Sequence, residues 1–245
     1  MGPHRSGTTF IDQIFRFYKN ISMPKIKETN YWINNKVRNI IGDYSNYFNN
    51  NNKIWMEVDP IYIFYPRKIK EIKNTFKDVK IIVLIRDPIE RYKSFLAFKR
   101  MIGIGAEKRE KEVENAIFIY DNIISLKTQF DILCVPFNEL INNTDSTIKS
   151  VCDFINVEYV SCDYSSLMIN TSKEPRVKFL NKFIFIIIHY LKKKQMINNL
   201  YFFKKFIFLQ KILYKNKANQ ESFHIDKGME IRLLEEKNKL FRLIN

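Results

Sequence analysis

Glycine is scarce in this chain, with six among 245 residues against the roughly 7% of average usage, yet two of the six, Gly2 and Gly7, fall within the first seven positions. Cysteine is scarcer still. Cys134, Cys152 and Cys162 are odd in number and form no CxxC pair, which argues against a disulfide framework and a zinc site and points to a reducing compartment. No run reaches the roughly 18 apolar residues that a membrane span requires. The chain opens on a polar loop with no apolar leader, so no secretory signal is expected and the expected location is cytoplasmic. Acidic residues are absent from Val177 to Asn219. What is abundant is positive charge: 41 Lys and Arg against 26 Asp and Glu give +15 and a pI near 9.6. Such a surface attracts phosphate, sulfate, nucleic acid or anionic lipid, and local motifs must decide among them.

A length of 245 residues suits one α/β domain with a substantial core. From Thr8, apolar residues at three- and four-residue intervals (Phe10, Ile11, Ile14, Phe15, Tyr18) predict a helix. Strands are expected near Lys25 to Lys27, at Ile54 to Val58, Ile81 to Ile85 and Ile132 to Val135. Helices are expected from Pro66 to Thr75, after Asp87, from Glu107 to Lys127, and in two short pieces ending near Asn156. Asp87, Pro88 and Glu90 read as N-cap, N1 and N3 of a helix. Strands alternating with helices predict a doubly wound parallel sheet with helices on both faces. Residues 178–217 interleave lysines with large apolar residues as two basic amphipathic helices, and a last helix, Met229 to Leu243, places Ile231, Leu234, Leu240 and Leu243 on one face. The expected division is a core over 1–177 and a helical extension of the same domain over 178–245.

GPHRSGTT has the glycine spacing of a nucleotide phosphate loop, GxxxxGK[ST], but Thr8 stands where the lysine belongs. That lysine reaches the outer phosphates of a nucleoside triphosphate, so ATP and GTP are disfavoured. What remains is a glycine-flanked loop whose amides can surround one phosphate group, with Arg5 as its cation.

The same residues resemble the phosphosulfate loop of sulfotransferases that use 3′-phosphoadenosine 5′-phosphosulfate (PAPS). IIVLIRDPIERYKSFL resembles that family's 3′-phosphate motif, with Arg86, Asp87, Pro88 and Ser94 in its key positions. KETNYW, from Lys27 to Trp32, resembles the Lys-Glu segment of the glycan and heparan-sulfate type, MEVDPIY the strand-end segment after it, and NTSKEPR, from Asn170, a late loop of bacterial members. The resemblance implies a phosphate-loop α/β fold and PAPS as co-substrate without a metal. Pro3, His4, Arg5, Ser6, Gly7, Thr8 and Thr9 would surround the donor, Arg86 and Ser94 would hold its 3′-phosphate, and Lys173 and Arg176 would close over the nucleotide. Glu28 is the implied general base, with Lys27 and Arg5 stabilising the leaving oxygen. Two departures stand out. The family places an apolar strand ahead of the loop, where only Met1 precedes Gly2, so a missing first strand is expected. Val58 replaces a lysine found in several glycan-modifying members, which disfavours a heparan-like polyanionic acceptor.

The expectation is sulfuryl transfer to a hydroxyl of a carbohydrate or glycolipid, with peripheral contact between the basic helices and an anionic membrane at its inner face, and no nucleic acid partner. The alternatives are a phosphate-loop phosphotransferase, or a basic module without catalysis that binds membrane surfaces or nucleic acid. Tyr31 and Trp32 could line an acceptor site, although buried aromatics are more often core.

Overall fold

The computed structural model describes residues 1–34, 40–49, 53–101, 119–164, 167, 174–175, 186–187, 190–191, 214–215, 225 and 227–244. Helix α1, Thr8–Phe15, buries Phe10, Ile11, Ile14 and Phe15, the face its spacing predicts. Strand β1, Ile21–Ser22, pairs in parallel with β2, Ile54–Trp55, and the short helices α2, Tyr31–Asn34, and α3, Ile40–Ser45, lie between them in the chain. A 3₁₀ turn at Pro60–Phe64 leads into α4, Pro66–Thr75. Strand β3, Lys80–Ile85, is followed by α5, Pro88–Met101, and α6, Ile119–Lys127. Strand β4, Asp131–Pro136, pairs in parallel with the whole of β3. Helices α7, Phe137–Asn142, and α8, Thr144–Ile155, follow, and Asn156 ends α8 in the left-handed conformation. A two-residue antiparallel pair joins β5, Glu174–Pro175, to β6, Tyr214–Lys215, and α9 runs from Lys227 to Ile244.

Two cores form because successive residues of β3 point to opposite faces. Ile81, Val83 and Ile85 join Trp32, Tyr44, Ile69, Ile123 and Leu240, contributed by α2, α3, α4, α6 and α9. Leu84 joins Phe10, Phe15, Leu140, Ile148 and Val151 from α1, α7 and α8. Helices therefore cover both faces of the β3–β4 ladder, as the alternation of elements predicts. Met1 engages the other backbone groups of β3: its amino nitrogen donates to Ile82 O at 2.6 Å, and the Leu84 amide donates to Met1 O at 2.9 Å.

Four expectations need correction. No strand forms at Lys25 to Lys27: Pro24 has no amide to donate, the ladder ends at Ser22, and Lys25 N turns aside to Tyr47 O at 2.8 Å. The strand from Ile54 stops at Trp55, after which one more backbone bond forms, from Met56 N to Ser22 O at 3.1 Å. In α9 the inward face is Leu233, Glu236 and Leu240, while Ile231 and Leu234 face solvent at 58% and 42% exposure. Tyr214 and Lys215 are extended, so no helix spans to 217. The rest of 178–217 lies outside the described residues except Ile186, Ile187, Tyr190 and Leu191, which are helical. Of the helix expected from Glu107, the described part is Ile119–Lys127.

Candidate active site

The loop before α1 is shaped by three residues of positive φ: Gly2 at 146°, Arg5 at 71° and Gly7 at 90°. Gly2 admits no side chain, since a Cβ there would stand 2.5 Å from Leu84 O. Gly7 is the N-cap of α1 and offers no side-chain cap, and no acidic residue stands in the first turn. The positive end of the helix dipole is thus uncompensated, a setting that favours an anion. Pro3, Ser6 and Thr8 are buried, whereas His4 and Thr9 are exposed. Ser6 Oγ is fully buried and has no hydrogen-bond partner. A buried hydroxyl without a partner is costly unless a ligand completes it.

Two residues from a distant part of the chain, Arg86 and Ser94, converge on Arg5 of this loop. Arg86, at the carboxyl end of β3, donates from Nη1 to Arg5 O at 2.8 Å and lies over the Phe137 ring at 4.3 Å. Arg5 donates from Nε to Ser94 Oγ at 3.0 Å and lies over Phe98 at 5.6 Å. Both guanidinium groups have pKa values below the ordinary range. Burial lowers both, and for Arg5 the nearness of Arg86 adds to it. Two crowded cations and an unpartnered hydroxyl at a helix N-terminus are chemically suited to a multiply charged anion.

Asp87 caps α5 as its position predicts, accepting from the Ile89 and Glu90 amides at 2.9 and 3.1 Å. Burial would raise its carboxyl, but Lys237 of α9, 2.7 Å away, and those amides bring it below the usual range. Behind the motif, Arg91 of α5 is buried and held down to about 10 by burial, with Glu236 of α9 acting against the shift. Burial raises Glu236 to about 6, although Oε1 accepts from the Tyr120 amide at 2.8 Å. Pro3, Arg86, Pro88, Arg91, Ile119 and Leu240 line one narrow crevice.

The second group of expected residues stands apart from the first. Lys27 donates to Glu28 Oε1 at 2.5 Å, with the two side chains 15% and 30% exposed. They sit on an irregular turn rather than a strand end, with Glu28 and Asn30 at φ 61° and 51°. Arg5 is engaged with Ser94, and Lys27 with Glu28. Near this second group lies Met1, whose buried amino group is held down to about 6 by desolvation, while Asp59 and Glu57 pull it upward and Lys27 adds to the depression. Lys173 and Arg176 lie outside the described residues. Tyr31 and Trp32 are 5% and 2% exposed and belong to an aromatic core with Tyr44 and Tyr47. Among the described residues, no three His, Cys, Asp or Glu side chains assemble into a metal-binding group.

Residues 1–185 match the family model of the sulfotransferase domain. The chain belongs to that family. This sulfotransferase-family chain is 34% identical over 96 residues to the membrane-associated sulfotransferase kil1 of Dictyostelium discoideum, a match that covers 37% of this chain and 20% of the relative. It therefore spans about a fifth of that relative's length. The sulfotransferase of Alicyclobacillus acidocaldarius superposes with a TM-score of 0.57 at 16% identity, covering 67% of this chain and 83% of the other. That likeness establishes a common fold.

The MEVDPIY segment supplies the residues that hold the Lys27–Glu28 turn, a role the sequence did not assign to Glu57 and Asp59. Glu57 Oε1 accepts from the Thr29 amide at 3.2 Å and from the Thr29 hydroxyl. Glu57 Oε2 accepts from Tyr44 at 2.6 Å and Tyr62 at 3.3 Å. Asp59, 1% exposed, accepts from the Asn30 amide at 2.9 Å and the Ile61 amide at 3.1 Å. Desolvation, with Asp59 nearby, raises the Glu57 carboxyl to about 7. The available signal was a carboxylate pair at i and i+2 beyond a strand, facing an equally short polar segment 28 residues earlier.

Proposed function

We propose that this chain transfers the sulfuryl group of PAPS to a hydroxyl of a carbohydrate or glycolipid acceptor. The observation that carries the reading is the convergence of Arg5, Arg86 and Ser94, drawn from two motifs far apart in sequence, at the N-terminus of α1. PAPS carries anionic groups at both the 3′ and 5′ positions of its ribose. Arg86 and Ser94 suit the 3′-phosphate, and the loop amides with Ser6 suit the 5′-phosphosulfate.

In the transfer, the acceptor oxygen forms a bond to sulfur as the bond from sulfur to the bridging oxygen breaks, and adenosine 3′,5′-bisphosphate leaves. Glu28 accepts the hydroxyl proton, and Lys27, already its partner, lies beside it to meet charge on the leaving oxygen. Arg5, held against Ser94, supports the nucleotide side of the same charge. Lys173 and Arg176 remain candidates for closing over the bound nucleotide. The name of the Dictyostelium relative speaks of membrane association. The lysine-rich, aromatic-rich segment from 178 suits peripheral attachment to the inner, anionic face of a membrane.

Calorimetric titration tests the reading. Adenosine 3′,5′-bisphosphate should bind in preference to adenosine 5′-phosphate and ATP. Preference for ATP would favour the phosphotransferase alternative, and no nucleotide binding at all would favour a basic module without catalysis.

A further inference from the structure

The turn carrying Glu28 has no ladder to hold it. The parallel pairing of β1 with β2 ends at Ser22 and Trp55, with one bond more from Met56, and neither segment continues as a strand. Beyond that point side chains take over. The amide of Thr29 bonds to Glu57, and the amide of the next residue, Asn30, bonds to Asp59. Thr29 Oγ1 donates to the same Glu57 oxygen and accepts from the Tyr31 amide at 3.1 Å, tying the turn to the start of α2. Asn30 Nδ2 reaches back to Glu28 O at 3.2 Å. Both residues flanking Thr29 are in the left-handed region, which non-glycine residues hold only where the surroundings impose it. Tyr44 and Tyr62, both buried, donate to the outer oxygen of Glu57 and fix the clamp in turn.

We infer that Glu57 and Asp59 are positioning residues for the transfer step: by holding the amides of Thr29 and Asn30 they fix the backbone that presents the Glu28 carboxylate. This rests on the reading of Glu28 as the base. The hydrogen bonds of Glu57 run to Thr29, Tyr44 and Tyr62 and not to Arg5, Arg86 or Ser94, so the clamp acts on turnover and leaves nucleotide binding alone.

Turnover is measured as adenosine 3′,5′-bisphosphate released from PAPS, with water or an alkyl glucoside as acceptor, alongside the Kd of that bisphosphate. A displacement of about 1 Å at a reacting group lowers rate by up to roughly 100-fold, so Glu57→Ala should lose about 10- to 100-fold in kcat. The bisphosphate Kd should stay within about two-fold. Glu57→Gln, whose amide oxygen can still accept from Thr29, should recover most of the loss. In the Glu28→Gln background, Glu57→Ala should add less than about two-fold, because a residue acting through another gives no independent loss. Equal losses in both backgrounds, or bisphosphate binding that weakens in step with kcat, overturn the inference. If Glu57→Ala fails to fold, Thr29→Val carries the test: it removes the bridging hydroxyl at constant volume and should show the same background dependence. Amide exchange at Thr29 and Asn30 should rise in both variants while exchange within α1 does not. An inert Glu28→Gln beside a fully active Glu57→Ala removes the clamp alone, whereas a fully active Glu28→Gln, or a wild-type chain that turns over no PAPS, removes the base assignment and the clamp with it.

Discussion

Arg5, Arg86 and Ser94 stand at the ends of regular elements: the loop before α1, the tip of β3 and the second turn of α5. Lys27 and Glu28 stand on a turn that belongs to no helix or strand, held from outside by Glu57 and Asp59. In the first group like charges are crowded by the fold, and the guanidinium groups of Arg5 and Arg86 share their burial. In the second, opposite charges pair locally and carboxylates replace a missing ladder. On the proposed reading the first group binds and the second reacts: a binding half tolerates unfavourable electrostatics because its ligand relieves them, whereas a reacting half needs its geometry fixed before any ligand arrives.

The sharpest way to separate the halves is Glu28→Gln, which keeps shape but cannot take a proton. Turnover should fall about 10²- to 10⁴-fold, or roughly 3–5 kcal/mol, while bisphosphate affinity and thermal stability stay unchanged. A variant retaining near-normal turnover would move the base elsewhere, with His4 the next residue to test.

The clamp should also be visible in stability against pH. With its carboxyl raised from 4.5 to about 7, the folded chain binds more protons at Glu57 than the unfolded chain between those values, so this group's contribution declines as pH rises from 4.5 to 7. At most about 3 kcal/mol is involved, reduced to the extent that solvent reaches the carboxylate. Asp59, Tyr44, Tyr47, Tyr62 and the Met1 amino group all bear on Glu57. The Met1 amine, lowered to about 6, acts in the opposite sense, adding stability between pH 6 and 8. Denaturant melts of Glu57→Gln against wild type should therefore differ most in slope between pH 4.5 and 7. Parallel curves would show that the carboxylate titrates normally.

On the binding side, Arg86→Ala and Ser94→Ala should weaken adenosine 3′,5′-bisphosphate by about 1.5–3 kcal/mol, the arginine more than the serine. Adenosine 5′-phosphate should be affected far less. Equal losses for both nucleotides would take these side chains away from the 3′-phosphate. The smallest effect belongs to Lys237→Ala, since the Asp87 pair it breaks is partly solvated; calorimetric melts should register less than about 1 kcal/mol.

Regular elements were legible because their signals are local. The apolar spacing after Gly7 marked α1, the Asp87-Pro88 cap marked the start of α5, and the run Ile81 to Ile85 marked β3. The motif residues Arg5, Arg86 and Ser94 could be named before their contact was visible. The turn at Glu28 was misread as a strand end because Lys25 to Lys27 alternates like one, while Pro24 and the left-handed Glu28 forbid it. The inward face of α9 was read correctly at Leu240 but not at its start, because periodicity favours Ile231 and Leu234, whereas packing on α5 and α6 selected Leu233 and Glu236. A buried charge pair such as Arg91 with Glu236 joins residues 145 apart in the chain and leaves no local signal.

Leu240 has a consequence for how the chain becomes a protein. It belongs to the same core as Ile81, Val83 and Tyr31, so the cover that α2, α3, α4 and α6 give this face of the β3–β4 ladder is completed only when residue 240 has been synthesised and has travelled back across the molecule. Closing so long a loop is entropically slow. The nascent chain should therefore keep the apolar surface under α9 exposed until its last residues are made, making this part of the face the one on which a chaperone would act and on which chains shortened at their end would aggregate.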